Sequence, residues 1–282
     1  MPTTAEKRAA FRRLHASGCF VIPNPWDIGT TRYLQHLGFK ALATTSAGFA
    51  FTRGLADGGV PRDAMLGYIA EIVANADLPV NADFEGGYAH EAQGVAESVR
   101  LCVATGVAGL SIEDATGDKD KPVYDFDLAV ARVKVARAAI DATGGDVLLT
   151  GRCECFLVGR PDLDETLRRI KAYSAAGADC LYAPGLRTRE LIEAVIEAAA
   201  PKPVNVLMGA ALGLTVADLT AMGARRISVG GAMARIAWGA FMRIAKEIAT
   251  EGKFDSFAQA AAHADLQSFF QEDAMKKAQH SL

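Results

Sequence analysis

Residues 79–113 read PVNAD-FEGGYAH-EAQGVAESVRLCVAT-GVA-GLSIE. The runs 79–83 and 109–113 are short and mostly apolar, as strands buried on both faces of a parallel sheet are. Between them, 91–105 repeats its apolar residues at helical spacing and stops before Gly106. This strand–helix–strand rhythm extends in both directions. Further strands are expected at 20–22, 41–45, 147–152, 180–183, 204–208 and 226–229. Helices are expected at 4–17, 61–76, 127–142, 163–176, 189–199 and 232–250. Eight β-then-α units in one chain most simply close into a (β/α)8 TIM-type barrel with an extra N-terminal helix, here one domain over 1–282. Residues 252–282 are a helical surplus, and Phe254, Phe257, Leu266, Phe269 and Phe270 within it call for a surface to cover. A doubly wound open sheet is the alternative. The first strand is not followed by Gly-x-Gly-x-x-Gly, and no Walker-type phosphate loop occurs.

Composition narrows the function. The 282 residues are 50% hydrophobic and 22% charged, with a net charge of −3, which excludes global disorder. The 33 acidic residues outnumber 30 basic ones without any basic block, so nucleic acid is not an expected partner. No apolar run reaches membrane-span length. The N-terminal residues carry no apolar signal core, and five cysteines without paired Cys-x-x-Cys motifs suit a reducing compartment, so a cytoplasmic location is expected. Cys153 and Cys155 are read as buried or site-lining thiols, with a redox pair as the lesser alternative.

Barrels of this kind carry their chemistry at the C-terminal ends of the strands. Four carboxylates gather there: Asp83, Glu85, Glu113 and Glu154. Such a cluster needs compensation, and a hard cation provides it. Asp83 is the expected direct ligand of Mg2+, with Mn2+ as the alternative ion, while Glu85 and Glu113 hold metal-bound waters. Arg152 is the expected partner of a substrate carboxylate; a structural ion pair with Glu113 or Glu154 accounts for it equally well. The backbone of Ser46-Ala47-Gly48 offers donors to an anionic oxygen, or forms an ordinary turn. Gly230-Gly231 offers a phosphate cradle, or a close-packed turn. None of the five histidines falls at a strand end, which argues against a histidine-dependent triad. The sixth strand has no lysine for Schiff-base chemistry.

Several motifs, in order from about residue 10 to 250, resemble the isocitrate lyase / phosphoenolpyruvate mutase superfamily. They include Asn24-Pro25-Trp26-Asp27, Thr45-Ser46-Ala47-Gly48, Gly54-Leu55-Ala56-Asp57, residues 81–88, Ser111-Ile112-Glu113-Asp114 and Gly151-Arg152-Cys153-Glu154. Pro203-Val204-Asn205-Val206 and residues 223–230 fit as well. The resemblance implies a barrel whose eighth helix is exchanged between subunits of a dimer or tetramer. It implies Mg2+ chemistry on 2-oxo acids and related carboxylates, with C–C or P–C bonds broken or formed through an enolate-like oxyanion. Carried over, Asp83 binds the metal and Glu85 stands where many members have Asp. Glu113 and Asp57 hold metal waters. Trp26, Ser46, Ala47 and Gly48 contact the substrate carboxylate and oxyanion, Arg152 binds substrate and balances the carboxylates, and Asn205 lines the pocket.

One segment departs from this pattern. Residues 115–122, Ala-Thr-Gly-Asp-Lys-Asp-Lys-Pro, contain neither cysteine nor histidine, unlike the Lys-x-Cys-Gly-His segment of isocitrate and methylisocitrate lyases. They also differ from the asparagine-bearing lid of the phosphoryl-transferring members. The expected activity is therefore a Mg2+-dependent carbon–carbon lyase or decarboxylase for a small 2-oxo or 2-hydroxy dicarboxylate. The alternatives are a phosphonopyruvate-processing mutase or hydrolase, a 2-oxo-acid-binding barrel with little catalysis, and a generic phosphate-binding barrel. Residues 115–122, with Gly117 as hinge, are the expected lid.

Overall fold

In the computed structural model, which describes residues 2–279, eight strands and nine helices form the larger of two units, Pro2–Gly231. The strands are β1 Phe20–Ile22, β2 Leu42–Ala43, β3 Val80–Asp83, β4 Gly109–Glu113, β5 Leu148–Arg152, β6 Cys180–Tyr182, β7 Val204–Leu207 and β8 Arg226–Ser228. The helices are α1 Thr4–Ala16, α2 Ile28–His36, α3 Ser46–Thr52, α4 Arg62–Asn75, α5 Ala92–Ala104, α6 Phe126–Ala142, α7 Leu163–Ala175, α8 Arg189–Ala199 and α9 Val216–Ala221. All strand pairs are parallel, in the order β1-β8-β7-β6-β5-β4-β3-β2. The ends of this sheet meet: the Ala43 amide donates to the Pro23 carbonyl at 3.0 Å. Asn24 stitches the same seam. Its Nδ2 donates to Thr44 O at 2.8 Å, and its Oδ1 accepts from the Val229 and Gly230 amides at 3.0 and 2.8 Å. The eight strands thus make the nearly closed (β/α)8 barrel that the alternation predicts.

Three short helices, α2, α3 and α9, were not expected. Each is announced by a side-chain cap and not by a long apolar period. Asp27 caps α2 in a capping box with Thr30, Thr45 caps α3, and Thr215 caps α9 in a capping box with Asp218. Ser46-Ala47-Gly48 is therefore the first turn of a helix, not a free loop, and the Gly48 amide is taken by Thr45 Oγ1 at 3.2 Å.

The strands look apolar throughout in sequence, yet their two faces differ. Leu110, Ile112 and Leu149 are fully or almost fully buried, as are the helix residues Val99, Val133 and Ile170 of α5, α6 and α7. The alternate positions bring polar groups together: Arg226 donates to Asn205 Oδ1 at 2.8 Å and Thr150 Oγ1 at 3.1 Å. α1 contributes Phe11 and His15 beside Phe20, with ring centroids 4.5 to 6.4 Å apart. Phe11, Phe20, Ile22, Ala41, Ala43, Ala108 and Leu148 form one apolar cluster. Each large side chain buried here contributes roughly 1.5–3 kcal/mol. Gly109 is required by this packing, because a Cβ there would sit 2.7 Å from both Phe11 and Asn81.

The second unit begins at Ala232 and holds α10 Ala232–Glu251, a 3-10 turn Asp255–Gln259 and α11 His263–Gln279. It starts ahead of the extension expected from residue 252; residues 280–282 of that extension, with Met1 of the expected domain, lie outside the described residues. Ile236, Phe241, Met242, Phe254, Phe257, Leu266 and Phe270 of this unit are exposed. Among the described residues no helix is long and apolar enough to cross a membrane.

Candidate active site

The register aligns the ends of successive strands: Asp83 pairs with Ser111, Glu113 with Arg152, Arg152 with Tyr182 and Tyr182 with Asn205. Alternation along β4 and β5 then sends Glu113 and Arg152 to the same side of the sheet. Arg152 Nη1 lies 3.0 Å from Asp83 Oδ1 and 3.1 Å from Glu113 Oε2, and its Nε donates to Glu154. The guanidinium stands 5.1 Å from the ring centroid of Tyr182. Asp83 is held from the other direction by Ser46, whose amide and hydroxyl donate to Oδ2 at 2.9 and 2.8 Å. The same hydroxyl stands 3.5 Å from Asp57 Oδ1.

The loop after β3 adds Glu85 and Tyr88. Both take left-handed backbone, φ 46° and 55°, which side-chain-bearing residues rarely adopt. The Glu113 amide donates to Glu85 O at 3.0 Å, and the Tyr88 hydroxyl donates to Glu85 Oε1 at 2.9 Å.

The electrostatics are lopsided. Burial raises the carboxyls of Asp57 and Glu113 above their usual range against the pull of Arg152, and takes Glu85 to about 7 against its hydrogen bond from Tyr88; neighbouring carboxylates add to all three. Burial also raises Glu154. Burial alone would lower Arg152, but Glu113, Glu154 and Asp83 hold it well above its ordinary value. Negative charge is thus in excess around one guanidinium. Among the described residues no three His, Cys, Asp or Glu side chains stand as a ready-made metal cage. The donor set itself fits Mg2+: hard carboxylate oxygens, crowded beyond what one cation neutralises, in a space that admits water.

That space is a cavity of about 390 Å³. Of the residues expected from sequence, Ser46, Asp57, Glu85, Glu113, Arg152 and Glu154 line it, and Asp83 is tied to Ser46 and Arg152. Trp26, Ala47, Gly48 and Asn205 are not among the lining residues. Asn205 instead accepts from Arg226 and donates to Ser228 Oγ at 2.9 Å. The Gly230 amide is used by Asn24 and is not offered to a phosphate. The Cys153 and Cys155 sulfurs are 3.6 Å apart and buried, in line with two free thiols.

Sequence reading gave Tyr88 no role and missed His90 and Tyr124; all three also line the cavity. Tyr88 closes the 81–88 motif, while His90 lies beyond it in the loop after β3, past the strand end. Tyr124 follows residues 115–122, and nothing in its local sequence marks it.

The chain matches the phosphoenolpyruvate phosphomutase family over residues 11–249 and belongs to that family. An uncharacterized protein of Mycobacterium tuberculosis is 32% identical over 224 residues, spanning 78% of this chain and 81% of that protein. Oxaloacetate decarboxylase of Paraburkholderia xenovorans is 30% identical over 218 residues, spanning 70% of this chain and 67% of the decarboxylase. The crystal structure of a lyase/mutase candidate from Burkholderia cenocepacia superposes with a TM-score of 0.91 at 48% identity, over 95% of this chain and 97% of its own. The superfamily expected from residues 81–88, 111–114 and 151–154 is therefore the right one.

Proposed function

We propose that the protein is a Mg2+-dependent carbon–carbon lyase or decarboxylase acting on a small 2-oxo or 2-hydroxy dicarboxylate, with an oxaloacetate-like acid as the leading substrate. The observation that carries this reading is the surplus of buried carboxylates around Arg152 at the wall of a 390 Å³ cavity. Similarity to an oxaloacetate decarboxylase supports it. Asp83, Glu85 and Glu113 would hold the ion, with Asp57 on its waters and Mn2+ as the alternative metal. An ion held there would supply Lewis acidity to an anionic substrate.

The remaining steps belong to the protein's own groups. Arg152 binds the anionic end of the substrate through its planar fork. Ser46 fixes the orientation of Asp83 through two donors. Residues 115–122 form a short finger, closed by the Ala115–Val123 bridge and by the Thr116 amide donating to Pro122 O at 3.1 Å. Thr116 and Gly117 of this finger line the cavity, so the finger is placed to exclude water from bound substrate. The exposed Ile236, Phe241 and Met242 of α10 support a homo-oligomer, a dimer or tetramer.

A turnover screen tests the reading. Wild-type and Asp83→Ala proteins are offered oxaloacetate, methylisocitrate, alkylmalates and phosphonopyruvate, with Mg2+ and with chelator. Cleavage of a C–C substrate that requires both metal and Asp83 is the expected result. Cleavage of phosphonopyruvate alone would replace it with P–C chemistry, and metal-independent turnover by the Asp83→Ala protein would end it.

A further inference from the structure

Breaking a C–C bond beside an oxo group leaves an enolate, and a keto product requires a proton at its carbon. Residues 115–122 contain no cysteine or histidine to donate one. Most acids of the cavity are already committed. Tyr88 donates to Glu85, while Glu113 and Glu154 share Arg152. One pair stands apart from this network: His90 Nδ1 lies 2.6 Å from the Tyr124 hydroxyl, and both residues line the cavity together with Glu113 and Arg152.

The pair is held in place. Arg132, almost fully buried on α6, reaches both partners. Its Nη1 donates to Ala89 O at 2.6 Å and to His90 O, and its Nη2 donates to Gly86 O. The same guanidinium lies 4.0 Å from the centroid of the Tyr124 ring. Arg169 of α7 fixes the backbone of Tyr124 by donating to its carbonyl at 2.9 Å. Among the described residues Arg132 forms no ion pair with a carboxylate, and its Nε has no hydrogen-bond partner. A buried cation with neutral partners, set against an aromatic ring, stabilises negative charge that appears on the phenol oxygen. Burial raises the Tyr124 hydroxyl, with Arg132 opposing and Glu91 adding to the shift, so the proton is present when the enolate forms.

We propose that Tyr124 is the proton donor to the substrate carbon, that Arg132 positions it, and that His90 recharges it. The assignment rests on the lyase reading above. In the step, the C–C bond breaks and its electron pair stays on the keto fragment as the enolate. That pair then forms a C–H bond with the Tyr124 hydroxyl proton. The resulting phenolate takes up a proton along its hydrogen bond with His90 Nδ1, and solvent replaces that proton.

The test uses 3-methyloxaloacetate and Mg2+ in D2O, where decarboxylation gives 2-oxobutanoate with one deuterium at C3. An enzymatic donor delivers that deuterium to a single face; release of free enol gives both configurations equally. The wild type is expected to give one configuration. Tyr124→Phe keeps the ring against Arg132, so its thermal midpoint should not change. It is expected to give racemic C3 label, with kcat for keto product lowered about 100-fold or more and KM little changed. His90→Gln should lower the same kcat about tenfold and leave KM unaffected. A Tyr124→Phe protein that still labels one face at the wild-type rate overturns this assignment and leaves the lyase reading standing. A wild type that cleaves neither this acid nor the earlier panel overturns the lyase reading, and the assignment falls with it.

Discussion

Two arginines, Arg152 and Arg169, stand on opposite sides of one strand end, and they have opposite characters. Glu113 and Asp114 are consecutive, so the period of β4 turns one toward Arg152 and the other toward Arg169. At Arg169 the accounts balance in hydrogen bonds. Its Nη1 donates to Asp114 Oδ2 at 2.9 Å, its Nε to Glu165 at 2.7 Å, and its Nη2 to Tyr124 O. Asp114 further accepts from the Tyr173 hydroxyl and from the Glu154 amide at 2.7 Å. At Arg152 three carboxylates share one guanidinium, and two of them, Glu113 and Glu154, are raised by burial. The first cluster is scaffold and the second faces the cavity. Buried charge does not by itself mark a site; buried charge of one sign in excess, next to open space, does.

The comparison is broken most directly at Asp83. Asp83→Asn keeps the shape but removes one negative charge from a crowd. Turnover should fall about 1000-fold, while the urea unfolding midpoint stays at or above that of the wild type. Arg169→Met should do the reverse. It leaves Asp114 buried without its cation, at a cost of about 3–5 kcal/mol, and the folded fraction should keep far more activity than Asp83→Asn. Both effects are read from urea unfolding curves alongside turnover assays. If Asp83→Asn proves the less stable of the two, the division into scaffold and site is wrong.

The barrel was legible because its strands and long helices announce themselves by period and by glycine stops such as Gly106. The carboxylate cluster was legible because Asp83, Glu113 and Arg152 end successive strands, where barrel chemistry collects. What escaped depends on contacts between distant loops. Asp57 came from the resemblance and not from any local pattern; it is placed by its contact with Ser46. His90 and Tyr124 are brought together by Arg132, and neither carries a local pattern that foretells the other. The polar lining around Arg226 was hidden as well, since Asn81, Thr150 and Asn205 sit inside runs that read as apolar strands.

Arg226 supplies a third case that sharpens the comparison, a buried guanidinium whose partners are all neutral. Asn205 and Thr150 accept from it, and its Nη1 lies 3.4 Å from His15 Nε2. Without a nearby carboxylate, a second positive charge there is strongly disfavoured. Burial first, and Arg226 second, push His15 from 6.5 down to about 3. His15 Nδ1 stands 2.8 Å from Phe11 O, which places the proton on Nδ1 and leaves Nε2 to accept from Arg226. The folded-state value is the lower one, so below pH 6.5 the unfolded chain takes up a proton that the folded chain refuses. This group therefore contributes nothing to the pH dependence above pH 6.5 and destabilises the fold increasingly as the pH drops toward 3. The slope over that window is about 1.4 kcal/mol per pH unit, which amounts to on the order of 2 kcal/mol between pH 7 and pH 5. His15→Gln keeps a polar group near Arg226 but cannot titrate. Urea unfolding at pH 7 and pH 5 should therefore show a smaller loss of stability in His15→Gln than in the wild type, by that amount. Equal losses in the two proteins would mean that His15 takes its proton in the folded state. Arg226 would then tolerate a neighbouring positive charge, and the contrast between balanced and unbalanced buried arginines would lose its third member.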